Sequence, residues 1–174
     1  MLDIDKCRQR VEVFVWGDNN TILAASKGHS TLPFLPGGGL DNGERIYDAA
    51  ARELMEEAGW VANNYSSPKM IFQNSIFNGP PDEHLKKEGY VGERSNLVTC
   101  NAIRFAPDTR YSSEGDGDVF VLRPVAEVCK ETENSLSSLN PRLKAIAMFR
   151  LEALTFCIKH SGIKLDTKPA WLTW

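Results

Sequence analysis

Residues Gly38 to Trp60 read GGLDNGERIYDAAARELMEEAGW. Within this stretch, Arg45 to Ala58 reads as a helix. Tyr47, Ala50, Ala51, Leu54 and Ala58 fall at i, i+3, i+4, i+7 and i+11, one apolar stripe facing a core. Gly59 is placed to end the helix at C′. The polar residues are less ordinary. Glu53, Glu56 and Glu57 lie at i, i+3 and i+4, so three carboxylates leave one face. Glu53 and Glu57 repel across one turn, and Glu56 and Glu57 sit in the last turn, where the helix dipole disfavours anions. Sequences break such local rules mostly at functional sites. Three glutamates on a helix usually form a solvated face. Here the face borders the apolar stripe, a glycine-rich segment precedes it, and Arg52 is within reach of Glu56 at i+4. A hard divalent cation such as Mg²⁺ would relieve the repulsion, because carboxylates with waters and substrate phosphates are its preferred ligands.

Working outward toward the N-terminus, Pro36-Gly37-Gly38-Gly39 implies a backbone with unusual dihedrals or one closely approached by another group. Before it, Arg10 to Trp16 alternates with β-branched and aromatic residues. Gly17 to Asn20 supplies a turn, and Thr21 to Ser26 reads as the second strand of a hairpin. Toward the C-terminus, Met70 to Phe77, Asn96 to Phe105 and Val119 to Val128 read as strands. Asn78 to Ser95 and Tyr111 to Asp118 read as polar loops, the first long enough to suggest a function. A last helix starts at Asn140 as N-cap with Pro141 at N1 and stops at Gly162, burying Leu143, Ala147, Leu151, Leu154 and Ile158. Strands in the middle with helices on both sides predict an α/β or α+β domain, a mixed central sheet between helices, as a single domain over 1–174.

The chain of 174 residues is long enough to bury a core without staples. Its 42% hydrophobic and 25% charged content is that of a globular protein. With 20 basic and 23 acidic residues it has no bulk basic footprint, so no nucleic-acid partner is expected. No window has the length and apolarity of a membrane span, and the N-terminal MLDIDKCRQR lacks the apolar core of a signal peptide. Cys7, Cys100, Cys129 and Cys157 are scattered, as free thiols of a cytoplasmic protein would be, and form no zinc-ligand pattern. The acidic surplus is local. Gly38 to Trp60 holds six acids and two bases, a net of −4, while the whole chain is −3. Two bound Mg²⁺ would cancel it.

The same stretch resembles the Nudix box, G-x5-E-x7-R-E-U-x-E-E-x-G-U, with U a bulky aliphatic residue. Gly38, Glu44, Arg52, Glu53, Leu54, Glu56, Glu57 and Gly59 all match in identity and spacing. Only Trp60 departs, at a packing position. Seven fixed identities would match a given window by chance about once in 10⁸. The resemblance implies a Nudix-type α/β/α sandwich. It also implies hydrolysis of nucleoside diphosphates linked to another moiety, by water attack on phosphorus with Mg²⁺ or Mn²⁺.

Carried onto this chain, the resemblance makes Glu53, Glu56 and Glu57 metal ligands, with Glu53 the first choice for a second role as base and Arg52 the residue that orients the carboxylates. Glu44 assists the metal less directly, and the Gly37 carbonyl is an additional ligand. Some members use a further carboxylate after the box, for which Glu114 is preferred here over Asp116 and Asp118, with Glu83 a weaker candidate. Cations for substrate phosphates are candidates at Lys27, His29, Lys86, Lys87 and Arg94, and stacking aromatics at Phe34, Phe77 and Tyr90. The expected substrate is an ADP-sugar, a dinucleotide or a dinucleoside polyphosphate. The alternative is a (d)NTP pyrophosphohydrolase. A non-catalytic nucleotide-binding module is disfavoured because all four box glutamates are present, and RNA decapping lacks a basic surface. The NADH-type SQPWPFPxS string is absent, and Ser75 stands where ADP-ribose enzymes carry a proline. A homodimer is an expectation by analogy alone.

Overall fold

β1 (Cys7–Gly17) is the axis of the sheet. Its Val11 to Val15 run is buried without interruption, as a strand covered on both faces requires. The computed structural model describes residues 4–25, 32–64, 75–76, 83–104 and 119–161. β2 (Thr21–Ala24) and β3 (Gly37–Gly39) both lie on one side of β1, so that β1 forks. β2 pairs through Trp16↔Ile22 and Gly17↔Thr21, and β3 pairs with Arg10 to Glu12. Two antiparallel strands, β4 (Trp60–Asn64) and β5 (Ser75–Ile76), pair with β6 (Gly92–Arg104). β6 itself runs parallel to β1 in unbroken register from Cys7↔Gly92 to Trp16↔Asn101. The outer strand β7 (Val121–Pro124) pairs with β2. Among the described residues this is a seven-stranded mixed sheet of order β4-β6-β1-β2-β7, with β3 on β1 and β5 on β6.

Helices cover both faces, as the sequence predicts. α1 (Ile46–Ala58) packs Ala49, Ala50 and Leu54 against Val11, Val13, Val15, Leu23, Val98 and Cys100. On the other face α3 (Val125–Asn134) and α4 (Pro141–Ser161) pack Val125, Val128, Phe149, Ala153, Leu154 and Ile158 against Phe14, Ile22, Ala24 and Leu97. The short α2 (Glu83–Lys87) leads into β6 and buries Leu85. No helix among the described residues is long and apolar enough to cross a membrane.

Several boundaries differ from expectation. Val119 to Val128 is not one strand: β7 ends at Pro124 and α3 begins at Val125. The buried Val125, Val128, Cys129 and Thr132 have the helical spacing i, i+3, i+4, i+7. Asn78 to Ser95 is not all loop, since it holds α2 and the first residues of β6, drawn into the sheet by their pairing with β1. The glycine segment forms a strand, and Trp60 to Asn64 is a further one. The apolar stripe of α1 is rotated from its expected setting. Tyr47 and Ala51 are exposed, and Ala49 and Glu53 take the inward positions. Elsewhere local chemistry holds. Asn19 and Asn20 take positive φ in the first hairpin turn, and Gly59 closes α1 at φ 67°. Asn140 caps α4, its Oδ1 accepting from the amides of Arg142 (3.0 Å) and Leu143 (3.4 Å). Gly162 and most of Met70 to Phe77 lie outside the described residues, as does Tyr111 to Asp118.

A buried ion pair joins α4 to the axis. Arg150 donates to Glu12 through Nε (2.7 Å) and Nη2 (3.0 Å), and its Nη1 bonds the Pro33 carbonyl. Both side chains are more than nine-tenths buried. The planar fork satisfies both carboxylate oxygens and fixes the segment that leads into β3.

Candidate active site

Hydrogen bonds from Val13 to the Pro36 carbonyl (2.8 Å) and from Leu40 to the Gln9 carbonyl (3.0 Å) bracket β3. The antiparallel alternation therefore turns Gly38 toward β1 and the backbone groups of Gly37 and Gly39 away from it. Side chains of α1 meet them there. The Gly37 amide donates to Glu57 Oε2 at 2.8 Å, and Arg52 Nη2 donates to the Gly39 carbonyl at 2.9 Å. Gly38 lies directly under Glu53. A Cβ there would stand 2.2 Å from Glu53 Oε1, so only glycine leaves room for the carboxylate. The predicted close approach is thus present at all three glycines. At Gly37 a Cβ would meet the Val11 carbonyl, and at Gly39 the Arg8 guanidinium.

Arg52 is the hub. Nε and Nη2 bond the two oxygens of Glu44 at 3.0 and 2.9 Å, and Nη1 bonds Glu53 Oε1 at 2.8 Å and Glu56 Oε2 at 3.2 Å. One guanidinium thus holds three carboxylates and one carbonyl. Glu44, Glu53 and Glu56 together hold it more firmly protonated than an ordinary arginine, Glu44 most of all. Glu44 also accepts from the Asp41 amide at 2.9 Å, and these contacts, Arg52 first, bring its carboxyl down to about 2. Glu53 goes the other way. Burial pushes its carboxyl up, while Arg52 and, more weakly, the charge of Arg10 pull it back. Glu56 is the exposed member of the set, with 59% of its side chain accessible.

The structure therefore brings together Glu44, Arg52, Glu53, Glu56, Glu57 and Gly37. Lys86 and Lys87 stand exposed on α2, which Glu83 opens, and Arg94 is half-buried on β6 opposite Gln9. Tyr90 is half-buried after α2, and Phe34 packs against Phe120 with ring centroids 6.5 Å apart. Lys27, His29, Phe77, Glu114, Asp116 and Asp118 lie outside the described residues. Sequence reasoning missed which groups fill the space beside Gly38 and Gly39, namely the Glu53 carboxylate and the guanidinium of Arg8, which with Arg10 precedes or opens the strand it recognised. Their i, i+2 spacing on a strand was the available signal.

The chain resembles known proteins over most of its length. A family model of the NUDIX domain matches residues 7–154. Among solved structures, the crystal structure of an ADP compounds hydrolase superposes with a TM-score of 0.55 at 19% identity, covering 89% of this chain and 75% of that one. A NUDIX hydrolase from Nitrosomonas europaea superposes with a TM-score of 0.51 at 18% identity, covering 83% of this chain and 88% of that one. At these identities the two structures share the fold. No curated protein matches the chain. The box on α1, its glycine strand and the match over 7–154 agree, and the chain belongs to the Nudix hydrolase family.

Proposed function

We propose that this chain hydrolyses the diphosphate linkage of a nucleoside diphosphate derivative, such as an ADP-sugar, a dinucleotide or a dinucleoside polyphosphate, with Mg²⁺ or Mn²⁺. The observation that carries this reading is the gathering of Glu44, Glu53 and Glu56 around one guanidinium, with Glu57 tied to the glycine strand beside them. The donor set fits a hard cation, because every donor is an oxygen. Among the described residues no three acidic, histidine or cysteine side chains close around one point. Mg²⁺ does not require that, since one or two carboxylates suffice when waters and substrate phosphates complete the octahedron. Glu53, Glu56 and Glu57 are the residues to hold the ion, with the Gly37 carbonyl beside them and Glu44 further out. A bound cation neutralises phosphate oxygens and lowers the pKa of the attacking water.

The chain's own groups do the positioning. Arg52 spaces the carboxylates, and the Gly38 cradle fixes Glu53. Glu53 is our choice to take the proton of the water. The water oxygen bonds to phosphorus, and the bridging oxygen leaves with the electron pair of the broken P–O bond. The products are a nucleoside monophosphate and the phosphorylated second moiety, or a nucleoside polyphosphate where the linkage is longer.

The test is turnover of ADP-ribose, NADH, diadenosine polyphosphates, capped RNA and (d)NTPs with Mg²⁺ or Mn²⁺, with products identified by mass. The ADP compounds hydrolase that shares the fold is a reason to put ADP-ribose first. Cleavage of a diphosphate-linked substrate supports the reading. Preferential cleavage of (d)NTPs to monophosphate and pyrophosphate replaces it with the alternative, and no turnover at all removes it.

A further inference from the structure

A diphosphate brought to a box of net −4 needs a cation that the carboxylates have not already engaged. Among the described residues, Arg45 and Arg52 lie in the box and Arg8 and Arg10 on the strand beside it. Arg52 is taken by Glu44, Glu53 and Glu56, and Arg45 is paired with Asp48 at 2.7 Å. Arg10 is paired with Glu93, a buried carboxylate that also receives Arg142 at 2.6 Å. Arg8, half-buried, has no hydrogen-bond or ion-pair partner among the described residues.

Its position is specific. Arg8 and Arg10 alternate to the same face of β1. Arg10 lies opposite Gly39 in the ladder. The Arg8 guanidinium lies over Gly39: a Cβ on that residue would stand 2.6 Å from Nη2, 2.8 Å from Nε and 2.9 Å from Cζ. The absent side chain is what admits the guanidinium plane to the strand. The carbonyl of Gly39 holds Arg52, and the neighbouring Gly38 bears on Glu53. Alternation along β3 puts Arg8 on the face opposite Glu53, across this outer strand from the carboxylate cradle, with up to five N–H donors.

We propose that Arg8, laid over the side-chain-free Gly39 and without a partner among the described residues, binds the phosphate oxygens of the substrate's diphosphate at the outer edge of β3, across the strand from the Glu53 cradle. The proposal rests on the functional reading above and names a substrate-binding residue that it lacked. A guanidinium is suited to the task because its fork matches two phosphate oxygens at once. Gly39 acts on Arg8 as a spacer, so it is a positioning residue.

The experiment compares wild type, Arg8→Ala, Arg8→Lys, Gly39→Ala and the Arg8→Ala/Gly39→Ala double variant. It measures KM and kcat on the best substrate of the panel. It also measures Kd for α,β-methylene-ADP, whose P–C–P bridge resists hydrolysis, and Mn²⁺ affinity. Arg8→Ala is expected to raise KM and the analogue Kd roughly 10- to 100-fold, with kcat and Mn²⁺ affinity changed less than about threefold. Arg8→Lys falls between, because it keeps the charge and loses the fork. Gly39→Ala displaces Arg8 and raises KM in the wild-type background but adds little in the Arg8→Ala background. Unchanged KM and Kd in Arg8→Ala overturn the proposal, as does a loss confined to kcat and Mn²⁺ affinity. If wild type turns over nothing in the panel, the functional reading fails separately. The analogue Kd then decides: weaker binding by Arg8→Ala supports the site, and equal binding, or none by wild type, removes it.

Discussion

The backbone amide of Gly37 donates to Glu57 Oε2 at 2.8 Å, joining a strand to the last turn of a helix twenty residues further along the chain. The bond offsets a local fault. A carboxylate at a helix C-terminus faces the negative end of the dipole, and here a fixed N–H dipole opposes that field. The helix end and the glycine strand are thereby registered to each other, with the Gly37 carbonyl on the same side.

Glu57→Gln separates charge from geometry. The glutamine carbonyl still accepts from Gly37, so the contact survives while the anion is lost. Activity should fall by roughly 100-fold or more, with the circular dichroism spectrum unchanged. Near-wild-type turnover would show that Glu57 is not a metal ligand.

Gly38→Ala tests the cradle. The new Cβ would stand 2.2 Å from Glu53 Oε1, so the carboxylate must move. A displaced catalytic group costs rate more than folding, and kcat should drop about 10- to 100-fold while the melting temperature changes little. A kcat equal to wild type would mean that the position of Glu53 is immaterial.

Acid pH should protonate Glu53 before Glu44 and cost stability through Glu44. Its folded-state carboxyl lies near 2, below the ordinary 4.5. The sign follows directly: this stabilisation is complete above about 4.5 and is lost as pH falls toward 2. Glu53, raised by burial, acts in the opposite sense, since protonation relieves it. Glu44→Gln should therefore flatten the fall of melting temperature between pH 5 and 2, measured by calorimetry. An identical pH slope in the variant would contradict the assignment.

Arg150→Met should destabilise the fold by about 3–5 kcal/mol, because Glu12 would remain buried without its partner. Pairing it with Glu12→Leu should recover much of the loss, since an apolar pair leaves no buried charge. Urea denaturation of the single and double variants reads both numbers, and a single variant as stable as the double would refute the account.

What the sequence disclosed depended on how local the signal was. The helix, its capping Gly59 and the carboxylate face of Glu53, Glu56 and Glu57 follow from spacing within one segment. So does the Asn140 cap. The strand Gly37–Gly39 has no side chains to betray a period of two, and it is a strand only because β1 pairs with it. The run after Val119 was ambiguous because β7 and α3 share a β-branched, apolar vocabulary, and only the i, i+3, i+4, i+7 burial tells them apart. The inward turn of Glu53 was illegible for a different reason. Spacing shows only that the carboxylate face borders the apolar stripe, and the space that receives Glu53 is the absent side chain of Gly38, fifteen residues earlier. The approach of Arg8 to Gly39 was hidden in the same way, since it is made between strands.

The parallel pairing of β1 with β6 has a consequence for biosynthesis. The first strand of the domain finds its principal neighbour eighty-five residues later, through Cys7↔Gly92. Closing so long a span comes late in folding, and such non-local sheets assemble slowly. On a translating ribosome, α1 and the glycine strand leave the exit tunnel well before the strand that completes the floor beneath them. The acidic helix therefore spends that interval on β1 and β3, without the Val98 and Cys100 of β6 that close its core.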